Sequence, residues 1–356
     1  MLPFVILLIF PILAQHIGVK GIDYQKKNRF ALFFFFTFLT VLVMLRHESI
    51  GNDTQSYIYY FKKFSQISWS EVGNGSLEIG FIIYNKLVAM ICDAPQFYLG
   101  VSAIAVSLLI YPTYKRLCID SSLTIVLFCV MSTFVMMFSG VRQMLAIGIG
   151  FVAYEFTRKK KLISFIIAVL IAMTVHTSSV MLVFMYPLYH AKITKKWLLV
   201  VVPALTLIFA FNGPVFSVMT LIISRFTKYE GGISSTGAYT MLFLFAIFAV
   251  FAFVIPDEAR IDEETIGLRN LLLLALVIQM FAPLHTLAMR MGYYYIVFIP
   301  LLIPKIIQQR SDRWSQVAVV GRHIMVIFFF AYFFISKIND SGNLHVFPYH
   351  FFWENV

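Results

Sequence analysis

Residues 30–45 read FALFFFFTFLTVLVML, an almost unbroken run of apolar side chains without a charged residue. Runs of this kind recur along the 356-residue chain, and each is long enough to cross about 30 Å of hydrocarbon as a helix. A membrane β-strand would instead alternate apolar and polar residues over about 10 positions. The sequence therefore predicts an all-α polytopic membrane protein that forms a single integral membrane domain over residues 1–356.

The composition supports this class, because 60% of the residues are hydrophobic and only 13% are charged. Soluble proteins contain about 25% charged residues. The start of the chain lacks the basic segment and small-residue cleavage site of a signal peptide, so it predicts a retained first span. Cys92, Cys118 and Cys129 are not closely paired in the sequence, and they predict neither a disulfide framework nor a zinc site.

Hydropathy predicts about 12 membrane spans. They lie near residues 2–19, 30–45, 97–113, 121–138, 143–157, 162–175, 178–190, 197–212, 239–255, 267–284, 291–308 and 319–336. One further apolar piece, residues 79–92, is short and contains Asn85 and Lys86. Whether this piece crosses the membrane decides the sidedness of everything that follows it.

The basic residues predict the sidedness of the connections between spans. Of the 28 Lys and Arg residues, 19 lie in residues 20–29, 114–116, 158–161, 192–196, 256–269 and 305–322. The positive-inside rule makes these connections cytoplasmic and puts both termini outside, but only if residues 79–92 do not cross. Residues 46–96 are therefore predicted to form one long external loop with an interfacial or re-entrant helix, and residues 213–238 a second external loop.

The net charge of +11 is explained by the same topology. A basic protein can bind nucleic acid, but here the Lys and Arg residues lie in short loops between spans, where they orient a membrane protein. No nucleic-acid partner is therefore expected.

Several ionisable residues gather at the predicted external ends of the spans. They are Arg46, Asp53, Glu78, Arg142, His176, His285 and Arg290. Ionisable groups close to hydrocarbon cost free energy, so a functional role is the default hypothesis for them. A single arginine can simply snorkel to lipid phosphates, and a single histidine can be a packing residue. A whole set on one face is better explained by a shared polar site.

The residue types in this set suit one kind of chemistry. Arginine side chains at the lipid–water boundary can bind a pyrophosphate, because guanidinium is always charged and grips oxyanions in a fork. A nearby histidine or carboxylate can take a proton from a hydroxyl group. Together these groups predict glycosyl transfer from a lipid pyrophosphate, in which a base activates the acceptor and cations stabilise the leaving group.

The order and spacing of these positions resemble a known family. The matching residues are Arg46, Gly51, Asp53 and Tyr57 in RHESIGNDTQSY, Glu78 and Gly80 in LEIGF, Arg142 and Gln143 in GVRQMLAIGI, the basic turn RKKK, His176 and Ser178 in HTSSVML, Arg290 and Tyr293 in RMGYYY, and Pro348 and Tyr349 in PYHFF. This series, which runs over nearly the whole chain, resembles the EpsG-type, Wzy-like polysaccharide polymerases of bacteria. Asn52 departs from the pattern, since the family often has a small or hydroxylated residue there.

The resemblance implies an enzyme of the bacterial inner membrane with a GT-C-like glycosyltransferase architecture. It would join lipid-linked oligosaccharide repeat units on the periplasmic face, with inversion at the sugar carbon. The growing chain would leave its undecaprenyl pyrophosphate and pass to the non-reducing end of the next unit. Related membrane glycosyltransferases work without a metal, so no metal and no other cofactor is expected. The implied partners are the lipid-linked donor and acceptor, membrane lipid and a chain-length regulator.

Chemistry and matched positions together predict the catalytic roles. His176 is the leading general base, because imidazole accepts a proton near neutral pH, and Asp53 or Glu78 is the alternative. Arg142 and Arg290 are predicted to hold the donor pyrophosphate. No residue is predicted to bind a metal.

The remaining matched residues are predicted to order the external loop or to contact substrate. Arg46 is expected to order the loop through Asp53 or Glu78, with direct contact to lipid as the alternative. Tyr57 is expected to pack against a sugar or a span. Gln143 and Tyr293 complete this set.

Three other functions remain open. A transporter, such as a flippase for the same lipid-linked units, would show repeats and helices broken at mid-membrane, whereas here the polar residues collect at one face. A ligase that transfers the finished chain would share much of the chemistry. A multispan acyltransferase would need a catalytic His or Ser system acting on an acyl donor.

Overall fold

The computed structural model describes residues 2–16, 23–222, 235–338 and 345–356. Within these ranges the chain forms 17 α-helices and no strand, which confirms the predicted all-α class. In chain order they are α1 (Leu2–His16), α2 (Tyr24–Met44), α3 (Thr54–Gln66), α4 (Ile79–Ala89), α5 (Pro95–Leu117), α6 (Ser121–Val130), α7 (Ser132–Ser139), α8 (Val141–Arg158), α9 (Leu162–Val175), α10 (Met185–His190), α11 (Leu198–Ala210), α12 (Asn212–Ile222), α13 (Ser235–Val254), α14 (Glu263–Gln279), α15 (Thr286–Ile296), α16 (Ile299–Gln308) and α17 (Ser315–Ile338). Short 3₁₀ turns occur at Trp69–Asn74, Thr177–Phe184, Lys195–Trp197 and Asp312–Trp314.

Several of these helices have the length and composition of membrane spans. Four qualify alone: Tyr24–Met44, Pro95–Leu117, Gly237–Val254 and Asp312–Ser336. Three pairs of helices that are bent at short breaks raise the number to 7 if each pair is one span. The chain is therefore a membrane protein with several apolar helices, while the 12 spans and the GT-C-like architecture stay predictions.

The chain divides into two compact units. The first contains Met1–Val183 and Gly321–Val356, and the second contains Phe184–Val320. The predicted second external loop, residues 213–238, falls in the second unit, and its residues 223–234 lie outside the described part of the chain. In that unit α10, α13, α15 and α16 pack on α14.

A buried polar cluster ties together the helices of the first unit at their predicted cytoplasmic ends. The Asp120 carboxylate accepts hydrogen bonds from Arg322 at 2.7 and 3.2 Å and caps α6 through the backbone N–H of Leu123. Gln15 on α1 donates to both Asp120 and Asn28. Because a buried charge is stable only when it is paired, this cluster fixes α1, α2, α6 and α17 around one carboxylate.

The C-terminal segment pairs with the start of the predicted external loop. Arg46 and Phe351 form an antiparallel bridge, and the backbone N–H of His47 donates to His350 O at 2.9 Å. Gly51 has a positive φ of 83°, and an added Cβ would overlap the carbonyl oxygen of Phe138. Glycine therefore lets the loop lie directly on the end of α7, next to the start of α8.

The predicted external loop contains two helices: α4 is shorter than a membrane span, and α3 is amphipathic. The 11 residues of α4 extend about 16 Å, roughly half the thickness of the hydrocarbon core. On α3, one face carries the buried residues Ile58, Phe61 and Phe64, and the other carries exposed polar ones. These shapes suit the predicted interfacial segment between residues 46 and 96.

The sidedness of this segment can be tested by cysteine labelling. Single cysteines at the exposed positions Ser68 and Lys115, in a variant without the native cysteines, should react from opposite sides of the membrane. We expect a membrane-impermeant maleimide to label position 68 in intact cells and position 115 only after permeabilisation. The cysteine-free variant is the control. Labelling of both positions from one side would mean that residues 79–92 cross.

Candidate active site

The Glu78 carboxylate is the meeting point of three segments of the first unit. Glu78 is the residue immediately before α4, and its side chain is mostly buried. Its Oε2 accepts a hydrogen bond from Arg142 Nη1 at 2.6 Å. Its Oε1 accepts hydrogen bonds from the backbone N–H of Thr177 at 2.9 Å and from Thr177 Oγ1 at 2.8 Å. One carboxylate therefore connects α4, the start of α8 and the end of α9.

The end of α9 explains why Thr177 can donate to Glu78. His176, the C-cap of α9, has an extended backbone with φ −152° and ψ 115°, so the α-helix stops there. Thr177 then opens a 3₁₀ helix, and the first N–H groups of a helix have no partner inside it. Those N–H groups carry partial positive charge and favour a carboxylate beside them.

Glycine at position 80 allows α4 to come close enough for this contact. A Cβ added at Gly80 would overlap Thr174 Oγ1 and would lie 2.8 Å from the Thr174 carbonyl oxygen. The backbones of α4 and α9 therefore touch two residues away from Glu78. A larger side chain at position 80 would separate Glu78 from Thr177.

Arg142 lies in the first turn of α8 and reaches Glu78 across the unit. The Arg142 guanidinium also lies 5.9 Å from the centre of the Phe81 ring, in a cation–π arrangement. Its Nη1 bonds to Glu78, whereas its buried Nε has no acceptor among the described residues. Glu78 therefore does not use the full hydrogen-bonding capacity of this side chain.

His176 stands beside the same carboxylate. Its Nδ1 is 3.6 Å from Glu78 Oε1, a distance typical of an ion pair and too long for a direct hydrogen bond. A carboxylate at this position stabilises a protonated imidazole and orients the ring. Glu78, Arg142 and His176, which were predicted separately, are thus brought together.

The surroundings of Glu78 control its protonation. Burial by itself raises the pKa of this carboxyl group, but neighbouring His176, the Thr177 N–H and the charge of Arg142 outweigh it and hold the pKa well below its usual value of 4.5. Glu78 is therefore ionised at neutral pH. A carboxylate with a lowered pKa is a weak base, so this geometry suits an orienting role for Glu78.

Asp53 and Tyr57 lie nearby on α3, outside the Glu78 cluster. The backbone N–H of Asp53 donates to Ser139 Oγ at 3.3 Å, which places this half-buried residue beside the turn that precedes α8. Tyr57 is buried, and its ring meets that of Phe81 edge-on at 5.9 Å. The structure therefore packs Tyr57 against α4, the same helix that carries Phe81 beneath Arg142.

Arg46 differs from its expected arrangement. Its side chain is fully buried, its Nη1 donates to Val43 O at 2.5 Å, and it pairs with neither Asp53 nor Glu78. Burial lowers its pKa to about 10, so it is still charged at neutral pH. Its backbone, through the bridge to Phe351, is what connects it to the C-terminal segment. The physical reason is that α2 ends at Met44, which leaves Arg46 directed into the helix bundle.

The other predicted residues occupy different environments. Gln143 is buried on α8, next to Arg142. Tyr293 is buried on α15 of the second unit, whereas Arg290 on the same helix is exposed. His285 is the N-cap of α15, and its Nδ1 accepts from the backbone N–H of Leu287 at 3.0 Å. The catalytic and binding roles of these residues stay predictions.

Sequence reasoning missed two members of the site, Thr177 and Phe81. Both follow a predicted residue closely: Thr177 comes directly after His176, and Phe81 comes three positions after Glu78. A helix that ends at a histidine exposes the next N–H group, and this signal was available in the sequence HTSS. Within the described residues, no group of three or more His, Cys, Asp or Glu side chains is arranged to hold a metal ion.

Comparison with known proteins gives one family. The model of the EpsG family matches residues 29–351, a range that includes every predicted site residue. No curated protein and no solved structure matches the chain.

The Glu78 contacts predict a pH-dependent loss of stability in the Glu78→Gln variant. Removing a charged hydrogen-bond acceptor should cost about 1–3 kcal/mol, measured as a lower melting temperature of the purified protein in detergent. Because the folded-state pKa is lowered, the carboxylate stabilises the protein above its usual pKa of 4.5, and this contribution is lost as the pH falls below that value.

The difference in melting temperature between wild type and Glu78→Gln should therefore be constant from about pH 8 to pH 5 and should become smaller in more acidic buffer. Glu48→Gln is the matched control, since Glu48 is an exposed carboxylate in the same external segment. Equal melting temperatures for wild type and Glu78→Gln at pH 7 would contradict a stabilising role.

Proposed function

The chain belongs to the EpsG family, a family of membrane proteins of polysaccharide biosynthesis, and from this we propose that it is a polysaccharide polymerase. In this proposal it joins oligosaccharide repeat units carried on undecaprenyl pyrophosphate, at the outer face of the bacterial inner membrane. The observation that supports it is the contact of Glu78 with both Arg142 and His176. A base and a cation at one carboxylate are the groups that glycosyl transfer from a pyrophosphate requires.

In the proposed reaction His176 is the general base. Its Nε2 takes the proton of the acceptor hydroxyl while that oxygen attacks the anomeric carbon of the donor sugar. The bond from this carbon to the pyrophosphate oxygen breaks, and the lipid pyrophosphate leaves with the bonding electrons. A single displacement of this kind inverts the anomeric carbon. Glu78, beside Nδ1, orients the ring and stabilises the imidazolium that forms.

The alternative bases fit this reaction less well. The Glu78 carboxylate accepts hydrogen bonds from Arg142 and Thr177, and its pKa is lowered. Those contacts reduce its affinity for a proton. Asp53 remains the second candidate, since it lies at the start of α3 beside the turn that precedes α8.

Arg142 is the proposed ligand of the leaving pyrophosphate. It lies in the first turn of α8, where N–H groups without a helical partner favour anions. Its side chain is about one-fifth exposed and uses Nη1 for the bond to Glu78, so the exposed part of the guanidinium can bind an oxyanion without releasing Glu78. Arg290 is exposed in the second unit, and its contribution to pyrophosphate binding is tested separately below.

The proposed reaction needs no metal, because the arginine supplies the positive charge at the leaving group. A ligase would use the same groups, but it would transfer one finished chain, whereas a polymerase produces a ladder of products that differ by one repeat unit. The assay for the proposal is therefore the purified protein with a defined lipid-linked repeat unit, read as the length distribution of the product.

His176→Ala should lower the rate of ladder formation by roughly 10²- to 10⁴-fold, because the acceptor hydroxyl loses its base. Binding of the lipid-linked donor should change little. His47→Ala is the matched control, since His47 is a histidine of the predicted external segment 46–96 whose side chain hydrogen-bonds to nearby Ser49. Full activity of His176→Ala would transfer the role of base to Asp53.

Arginine-to-lysine variants test the pyrophosphate ligands. Lysine keeps the charge but loses the planar fork, so Arg142→Lys and Arg290→Lys should each form ladders about 10²-fold more slowly, and alanine should be worse. Arg116→Lys is the control, because Arg116 also pairs with a glutamate, Glu155 at 2.7 Å, at a predicted cytoplasmic end. Near-normal ladders from both variants, at equal protein levels, would mean that these arginines only snorkel to headgroups.

A further inference from the structure

The predicted external segment carries a cleft that takes no part in the Glu78 cluster. Helix α3 and the 3₁₀ turn Trp69–Asn74 form its two walls; the cleft is open to solvent and has a volume of about 530 Å³. It is lined by Tyr59, Lys62, Lys63, Gln66, Ile67 and Glu71. Five of these six side chains are polar or aromatic with a polar end, so the cleft is a wet surface rather than a gap in the apolar core.

The sequence of α3 explains why these side chains point outward. Phe64 packs with Val72 and Ile82 in a small core beneath the helix. The opposite face of α3 then carries Tyr59, which is 61% exposed, and the two lysines. The far wall is fixed by a capping box, in which the backbone N–H of Ser68 donates to the Glu71 carboxylate at 2.8 Å.

The cleft has an excess of positive charge. Lys62 and Lys63 form no ion pair with any carboxylate in the described residues. Glu71 is the one carboxylate of the lining, and it accepts a hydrogen bond from Ser68 within its own turn. An anionic ligand can therefore approach the two ammonium groups without displacing an internal ion pair.

We propose that this cleft binds the sugar part of an acidic oligosaccharide, one that carries carboxylate groups. The inference rests on the proposed function, and it identifies the substrate class of the polymerase as acidic repeat units. The exposed Tyr59 ring offers an apolar face to a pyranose ring and a hydroxyl at its edge. The Gln66 amide can both donate to and accept from sugar hydroxyls, and the lysines pair with the sugar carboxylate.

The lining favours a saccharide over an anionic lipid headgroup. The Glu71 carboxylate repels any anion, but a sugar also carries hydroxyl groups that can donate hydrogen bonds to Glu71 while its carboxylate pairs with the lysines, and a phosphate diester has no such hydroxyl group. The cleft is open to solvent and most of its side chains are exposed, so a free oligosaccharide can reach it without rearrangement of α3.

The cleft and the Glu78 cluster belong to the same unit and are linked through α3. Tyr57, on the buried side of α3, contacts Phe81, and Phe81 lies beneath the Arg142 guanidinium. A sugar chain held on the outer side of α3 would thus be bound by a helix that packs against α4, the helix whose N-cap is Glu78. The cleft is therefore a binding site, and its loss should affect substrate affinity rather than the chemical step.

The test is binding of free oligosaccharides to the full-length protein in nanodiscs of neutral phosphatidylcholine. The probes are an oligosaccharide that contains hexuronate residues and the same oligosaccharide after its carboxyl groups are reduced to alcohols. Wild type should bind the acidic probe about tenfold more tightly than the neutral one, with weaker binding at high salt. Equal affinities for the two probes would overturn the proposal.

The variant is Lys62→Gln combined with Lys63→Gln, and Tyr59→Ala is a second variant without charge change. The double variant should bind the acidic probe about tenfold more weakly and the neutral probe as wild type does. Tyr59→Ala should weaken the binding of both probes. The matched control is Lys159→Gln with Lys160→Gln, an adjacent exposed pair at a predicted cytoplasmic end, which should bind as wild type.

Two outcomes separate the competing explanations. Failure of wild type to bind either probe would overturn the proposal. If wild-type nanodiscs then recruit vesicles of phosphatidylglycerol and those of the double variant do not, the lysines are a headgroup anchor. Binding of a free oligosaccharide requires no turnover, so it is independent of the ladder assay. Selective binding of the acidic probe without polymer formation would support the proposed binding site and reject the proposed polymerase. Polymer formation from acidic units without selective binding would support the polymerase and reject the binding site.

Discussion

The predicted external end of the first unit depends on one ion pair, that of Glu78 with Arg142. Both side chains are mostly buried, so neither charge could stay without the other. Because Glu78 also accepts two hydrogen bonds from Thr177, the pair fixes the ends of three helices relative to one another. His176 is brought beside the carboxylate as a consequence. The same contacts lower the pKa of Glu78 and keep it ionised at neutral pH.

This arrangement needs two places where backbones approach closely. At Gly80 the absence of a side chain lets α4 touch the end of α9, and at Gly51 it lets the predicted external loop lie on the end of α7. The C-terminal segment then pairs with the loop at Arg46 and closes it from the other side. The C-terminal segment and the end of α7 thus hold the loop beside the first turn of α8, where Arg142 lies.

The two polar ends of the first unit have different characters. At the predicted cytoplasmic end, Asp120 and Arg322 form a bidentate pair whose neighbours, Gln15 and Asn28, complete a closed network. At the other end, Arg142 keeps a donor without an acceptor among the described residues, although its Nη1 bonds to Glu78. A satisfied network stabilises a fold, whereas free hydrogen-bonding capacity suits a site that binds a ligand.

The sequence by itself determined the all-α class, the membrane character and the family, because apolar runs such as residues 30–45 act locally and a motif series can be read along the chain. It also selected Glu78, Arg142 and His176 as polar residues in costly positions. It could not determine their partners: Arg46 was expected to pair with Asp53 or Glu78 and is instead buried in the bundle. Glu78 lies 64 positions from Arg142 and 99 positions from Thr177 in the chain. Which charged groups meet is therefore determined by the tertiary packing of the helices, through close contacts such as that of Gly80 with Thr174.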